Sequence, residues 1–199
     1  HAVMLPYRFT STESLSDAEL CAKALGIRYD SVSIAPAVDG LYAMLGPINP
    51  RILCGHLSAY GRDNERKGWP GYDYLMQAEA GYLHLSGEPG SPPARMGLSI
   101  VDYMTGITTA VAILSSLFGV LKGGRGHDID VSLFDVALHQ LTYPGAWYLN
   151  SGYRTERLPR SAHPSTVPVQ LQHTSDGWIF IMCMTQKFWI ELVRALQRP

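Results

Sequence analysis

The chain has 199 residues, 46% of them hydrophobic and 17% charged, with a formal net charge of −1. That is apolar material for one packed domain or one and a half, while a charge content below the roughly 25% of an average globular chain suggests surface covered by a partner subunit. The balance excludes the basic field that nucleic acid or an anionic membrane would call for, and three scattered cysteines (Cys21, Cys54, Cys183) give neither a disulfide framework nor metal-ligand spacing. A reducing, cytoplasmic setting is the expectation. No signal peptide is read ahead of the strand-like pattern that opens at His1.

Residues 1–45 read as strand, helix, strand, helix. Ala2 to Leu5 is a short apolar run stopped by Pro6. Ser11 to Ser14 is rich in capping residues, and Leu15, Ala18, Ala22 and Leu25 then fall on one helical face. Gly26 suits the position just past that helix, and Tyr29 to Ile34 alternates as a strand does. This is one step of a parallel α/β arrangement. After the break at Gly46–Pro50, Arg51 to Leu57 reads as a strand, Arg62 to Lys67 as a charged loop, Gly71 to Gln77 as the opening of a helix, and Glu88 to Pro93 as a loop. A long helix is predicted from about Asp102 to the glycines at 123–126. The alternation of Ile129, Val131 and Leu133 gives a strand, and Asp135 is expected to cap a helix from Val136 to about Leu149. Residues 151–166 carry no pattern and read as a loop. Val167 to His173 and Trp178 to Met184 form a hairpin across Thr174–Gly177, and a last helix starts near Lys187.

Asp102 stands out. It is the only charged residue between Arg95 and Lys122, at the head of the uncharged run Tyr103 to Leu121. A carboxylate there can cap a helix, pair with a distant cation, or do chemistry. The 19 uncharged residues have the length of a membrane span. Two Gly, two Ser and three Thr dilute them, no aromatic belt flanks them, and the reading is a buried core helix.

Seven boxes in order then carry a resemblance: NPRI (49–52), WPGYDYLMQAEAG (69–81), SGEPG (86–90), VDYMTG (101–106), GRGHDIDVSLFD (124–135), SAHPSTVP (161–168) and DGWIFIM (176–182). Together residues 46–199 resemble the family III CoA-transferases. The resemblance implies transfer of coenzyme A from an acyl-CoA to a small free carboxylic acid, CoA and acyl-CoA being substrates with no further cofactor or metal. It also implies an intertwined homodimer. The acid of the VDYMTG box becomes the nucleophile, Asp102, which passes through a mixed anhydride to an aspartyl thioester. Amides of a helix start at Tyr103–Thr105 are expected to serve the oxyanion, with the helix dipole keeping Asp102 ionised. Tyr72, Asp73, Thr105, Gly106 and His163 follow as candidate substrate or CoA contacts. Tyr72 could equally be a turn tyrosine, Asp73 a helix cap, and His163 a residue that only organises its loop.

Residues 1–45 resemble another family. HAVMLPYRFTSTESLSDAELCAKALGIRYDSVSIAP is similar to a piece of the NAD synthetases, which places Met4, Leu5 and Arg8 near a nucleotide. The pyrophosphate loop of that family does not appear in the chain, and without it ATP would be held weakly. The expected fold is α/β: a partial family III fold with a long buried helix and a small antiparallel hairpin, preceded by a strand–helix–strand–helix segment. Three functions stand side by side: a CoA-transferase segment, inactive if the truncated chain holds CoA too weakly; an ATP-dependent NAD synthetase fragment; and a non-catalytic chimeric fragment. Exposed apolar surface is expected in each case where a fold is incomplete.

Overall fold

A computed structural model describes residues 2–4, 12–32 and 44–197. The chain divides into two compact units, one of His1–Met76 with Ser99–Ala137, the other of Gln77–Leu98 with Leu138–Pro199. The boundary at 45/46 read from the sequence is one of resemblance and does not coincide with this division.

In the first unit, β1 (Ala2–Met4) and β2 (Tyr29–Ser31) pair in parallel, with α1 (Thr12–Ala24) as the connection between them. Gly26 ends α1 as predicted. Its φ is +63°, and it donates to Lys23 O while Ile27 N–H donates to Ala22 O, a pair of bonds that closes the last turn. A second parallel pair joins β3 (Cys54–Ser58) to β4 (Asp128–Ser132). Parallel neighbours need a long crossover, and the connection includes α2 (Asp73–Glu79), α3 (Tyr82–Leu85) and the 22-residue α4 (Ile100–Leu121). Alternation along β4 puts Ile129 and Val131 in the core beside Val136, where Leu53 and the α4 residues Met104, Ala112 and Ile113 pack on them. The other face of the pair is polar. His56 Nε2 lies 3.4 Å from Asp128, and Arg62 reaches Asp128 and Asp130 at 3.3 and 3.4 Å.

α4 is not the buried helix expected. Only Val101, Thr105 and Val120 are buried along it, while Tyr103, Leu114, Phe118 and Leu121 are 60–69% exposed. It is apolar all round, as a helix covered on every side would be, but in this chain β3 and β4 cover one stripe. It alone among the described residues is long and apolar enough to cross a membrane, by length and composition.

Both ends of α4 are closed by distant residues. Asp73 accepts from its first-turn amides, and Arg51 Nη2 donates to Val120 O at 2.8 Å near its last turn. The glycines at 123 and 124 add bonds to Val120 O and Gly119 O.

β4 runs directly into α5 (Leu133–His139). Its cap is Ser132, not Asp135. The Ser132 hydroxyl accepts from Asp135 N–H (3.1 Å) and donates to Asp135 Oδ2 (2.6 Å). The single helix predicted over 136–149 is two, because a turn at 140–141 separates α5 from α6 (Thr142–Ser151). Pro144 sits in the first turn of α6, where a missing N–H costs nothing.

The second unit holds the loop 86–98 by side-chain clamps. Gln77, fully buried, donates to Leu98 O and accepts from Met96 N–H, both at 3.0 Å. Arg157 Nη1 donates to Glu88 O, Ser91 O and Pro92 O. β5 (Val169–His173) and β6 (Trp178–Met182) form the predicted antiparallel hairpin, closed by Thr174 N–H donating to Gly177 O. α7 (Gln186–Ala195) follows, capped by the Thr185 hydroxyl. A short 3-10 turn at Pro159–Ser161 interrupts the region read as loop.

Two glycines on the approach to Asp102 should respond oppositely to a methyl group. At Gly71 an added Cβ would lie 2.3 Å from Ala59 Cβ, whereas at Gly106 it would meet nothing within 4 Å. Gly71→Ala is expected to lower stability by about 1–3 kcal/mol through overpacking. Gly106→Ala, in an exposed helical turn, is expected to raise it by about 0.5–1 kcal/mol. Urea midpoints of the two variants check both signs.

Candidate active site

The site is built at the start of α4. The WPGYD box lies against the end of β3, and the close approach of Gly71 to Ala59 sets where Tyr72 and Asp73 begin α2. Asp73 is 4% exposed. Its Oδ2 accepts from Val101 N–H at 2.6 Å and from Asp102 N–H at 3.0 Å. Ser99 occupies the N-cap position of α4 but makes no capping bond. A buried carboxylate from 28 residues upstream takes that role instead, and it places negative charge at the positive end of the helix dipole.

Asp102 is an exposed residue of the first turn, with the buried Val101 before it. Two influences oppose each other there. The helix start favours a carboxylate. Partial desolvation, and then the neighbouring Asp73 charge, push the Asp102 carboxyl upward from its ordinary value. The upward influences win; the Val101 and Asp102 amides, for their part, are bonded to Asp73. The shift is upward although Asp102 lies in the first turn of α4.

The expected oxyanion donors are corrected. α4 begins at Ile100, so Tyr103 N–H donates to Ser99 O inside the helix. With Val101 and Asp102 bonded to Asp73, three consecutive first-turn amides are engaged.

The remaining candidates divide. Tyr72 is 68% exposed, beside Asp73 and free to offer its ring to a ligand, while its carbonyl accepts from Leu75 and Met76 N–H. Asp73 is buried, and its Oδ2 caps α4. Thr105 is 1% exposed with its hydroxyl donating to Val101 O at 2.7 Å, a bond that braces the first turn. Gly106, one turn after Asp102, is exposed with open space above it. His163 belongs to the second unit and organises its own loop: its N–H donates to Val169 O, its Nδ1 accepts from Ser165 N–H, and its ring lies 5.7 Å from that of Tyr143. Met4 lies in β1; Leu5 and Arg8 fall outside the described residues. Among the described residues no group of His, Cys, Asp and Glu gathers as metal ligands do.

Sequence reasoning missed the partnership of Asp73 with α4. The sequence held no signal for it: Ser99 precedes the helix as an ordinary N-cap residue, and only the structure shows that its side chain makes no capping bond.

A family model described as CoA-transferase family III matches residues 39–199. An acyl-CoA transferase of Fusarium pseudograminearum is 41% identical over 138 residues, covering 69% of this chain and 30% of that protein. A succinate–glutarate CoA-transferase of Agrobacterium fabrum is 31% identical over 140 residues, covering 70% and 35%. Among solved structures, a CAIB/BAIF family protein from Brucella suis superposes with a TM-score of 0.67 at 31% identity over 78% of this chain and 41% of that one. The chain thus spans about a third of the length of these curated relatives. The family match reaches back to residue 39, into the stretch read as NAD synthetase-like, and no finding supports that second resemblance.

The upward shift at Asp102 carries a stability consequence. A fold that raises an acid's affinity for its proton is stabilised fully below the unfolded value, and loses that stabilisation as pH rises through the folded one. Between pH about 4 and neutral, wild type should therefore lose stability relative to Asp102→Asn. Because the side chain is exposed and screened, the gap should be about 0.5 kcal/mol or less. Paired urea titrations at pH 3.5 and 7 measure it; an Asn variant less stable at pH 7 than at pH 3.5, relative to wild type, contradicts the assignment.

Proposed function

The chain belongs to CoA-transferase family III, and on that premise we propose that it is the part of an enzyme that moves coenzyme A from an acyl-CoA to a free carboxylic acid, with Asp102 as the nucleophile. The observation that carries the reading is an exposed carboxylate in the first turn of α4, set against a buried carboxylate that has taken the local amides.

Each step balances at one carbonyl carbon. A carboxylate oxygen of Asp102 adds to the thioester carbonyl, the C–S bond breaks, and CoA leaves as thiolate. The mixed anhydride on Asp102 is then attacked by that thiolate at the aspartyl carbonyl, which releases the donor acid as its carboxylate and leaves an aspartyl-CoA thioester. The acceptor carboxylate repeats the exchange in reverse order, so new acyl-CoA departs and the Asp102 carboxylate returns. Between the two half-reactions CoA is carried as a thioester on the protein's own side chain, and the scheme calls on no resident cofactor. A carboxylate made more basic by its surroundings is the better nucleophile. Tyr72 supports the binding half of the scheme by offering an exposed ring next to the cap, and Gly106 leaves room for substrate to approach the backbone.

The exposed face of α4 supports a working assembly in which another polypeptide covers it, and we take that assembly to be a homodimer. Cys21, Cys54 and Cys183 are free thiols, which suits the cytoplasm.

The reading is tested by incubating the chain with a labelled acyl-CoA and trapping with hydroxylamine. Label or hydroxamate should map to Asp102 by peptide mass spectrometry, and Asp102→Asn should lower the yield by about a thousandfold or more. A trapped adduct that persists in Asp102→Asn, or maps to another residue, would remove Asp102 from the reaction. Tyr72→Ala should raise the acyl-CoA concentration needed for half-maximal trapping while leaving the plateau in place.

A further inference from the structure

Asp73 is a buried carboxylate whose Oδ2 serves two amides of a helix 28 and 29 residues away in sequence, and the second of those amides belongs to Asp102 itself. Its burial takes it out of the ligand's reach, so anything it does for the reaction it does through α4. We propose that Asp73 is a positioning residue for the transfer: its carboxylate fixes the first turn that presents Asp102, and its charge opposes the ionised form of Asp102 in a way that acylation of Asp102 relieves. This rests on the reading of Asp102 as the acyl acceptor.

The argument has a geometric half and an electrostatic half. Geometrically, one oxygen bonds the amides of two successive residues, so the direction of the first turn and the point where the Asp102 side chain leaves it are tied to α2. The tie is stiff at its own base. Gly71 lies so close to Ala59 that no side chain fits between them, and Tyr72 O takes the Leu75 and Met76 amides that open α2. Thr105 adds a brace from within α4 through its bond to Val101 O. Electrostatically, Asp73 is the charge that acts on Asp102. The other titratable groups on strands packed against α4 are occupied elsewhere: His56, Asp128 and Asp130 form a network with Arg62, and Asp128 acts on the Cys54 thiol.

Ionised Asp102 carries a negative charge beside Asp73. As a mixed anhydride or a thioester it carries none, so like-charge repulsion raises the resting state and not the acylated ones. The charge of Asp73 thereby favours formation of the covalent adduct without touching substrate.

Two variants separate the halves. Asp73→Asn keeps an acceptor oxygen of the same reach and removes the charge; Asp73→Ala removes both. In the full chain, hydrogen exchange reports the Val101 and Asp102 amides, carboxyl-carbon NMR reports the titration of Asp102, and hydroxylamine trapping at fixed acyl-CoA and CoA reports the acylated fraction. Asp73→Asn should leave the two amides protected, move the Asp102 titration to lower pH, and reduce the acylated fraction by about threefold to tenfold. Asp73→Ala should in addition release both amides to fast exchange. An Asp102 titration that does not move in a well-folded Asp73→Asn overturns the electrostatic half. Amides that stay protected in Asp73→Ala overturn the geometric half. If wild type yields no adduct at Asp102 while exchange and titration behave as stated, the nucleophile reading fails and Asp73 remains a cap; the transfer role then falls with it.

Discussion

One helix held by opposite charges at its two ends organises the first unit. α4 is about 33 Å long, yet it packs on β3 and β4 through a narrow stripe of Met104, Ala112 and Ile113. A helix so lightly packed is free to slide or rotate unless something pins it. Asp73 bonds amides at the start, and Arg51 bonds a carbonyl near the end. Each charge has the sign that the dipole favours at its position, and hydrogen bonds to charged groups contribute about 1.5–3 kcal/mol each, more than neutral ones. Both residues come from segments that flank β3, the strand the helix lies on. The same short stretch of chain therefore supplies the strand, the N-terminal tie and the C-terminal tie, and the position of Asp102 follows from all three.

The cover on the rest of α4 is a separate matter. Tyr103, Val111, Leu114, Phe118 and Leu121 form an exposed apolar stripe at helical spacing. In the second unit every residue of β6 is at least partly exposed, Trp178 and Met182 by 60% and 58%. Each described sheet has two strands, and a two-stranded sheet is marginal without further packing. Surface of this kind favours association. The low charge content of the sequence and the helix that is apolar on every side are two expressions of the same fact: these elements have the composition of interior structure, and this chain covers one side of them.

The elements set by local chemistry were legible in the sequence. The parallel strand–helix–strand step, the glycine end of α1 and the hairpin across Thr174–Gly177 all stand where their periodicity and turn residues put them. What was not legible depends on partners distant in the chain. Asp102 looked like a helix cap because it is the first charge before an apolar run, but the run begins two residues earlier and the cap comes from α2. Asp135 looked like a cap by composition, while Ser132, three residues before it, bonds its amide. Pro144 is the residue in the sequence that agrees with a fresh start at α6, because it is tolerated in a first turn and not in a helix interior. The burial of α4 was misread for a different reason: periodicity reports which faces of a helix are apolar and says nothing about whether the same chain supplies what lies against them.

The position of Asp102 also shows why a helix start alone does not define an anion site. An unencumbered N-terminus would hold a carboxylate in its charged form through free amides. Here the Val101 and Asp102 amides are spent on Asp73 and the Tyr103 amide on Ser99, and the group that spends the first two brings a charge of its own. The helix dipole is thus largely answered from below, by a buried residue, and the exposed carboxylate above is left under-stabilised. For a side chain that only caps or solubilises, that is a poor arrangement. For one that trades its charge for an acyl group, the role proposed for Asp102, it would shorten the distance in free energy between the resting carboxylate and the neutral adduct, and the Asp73 bonds also hold α4 in place.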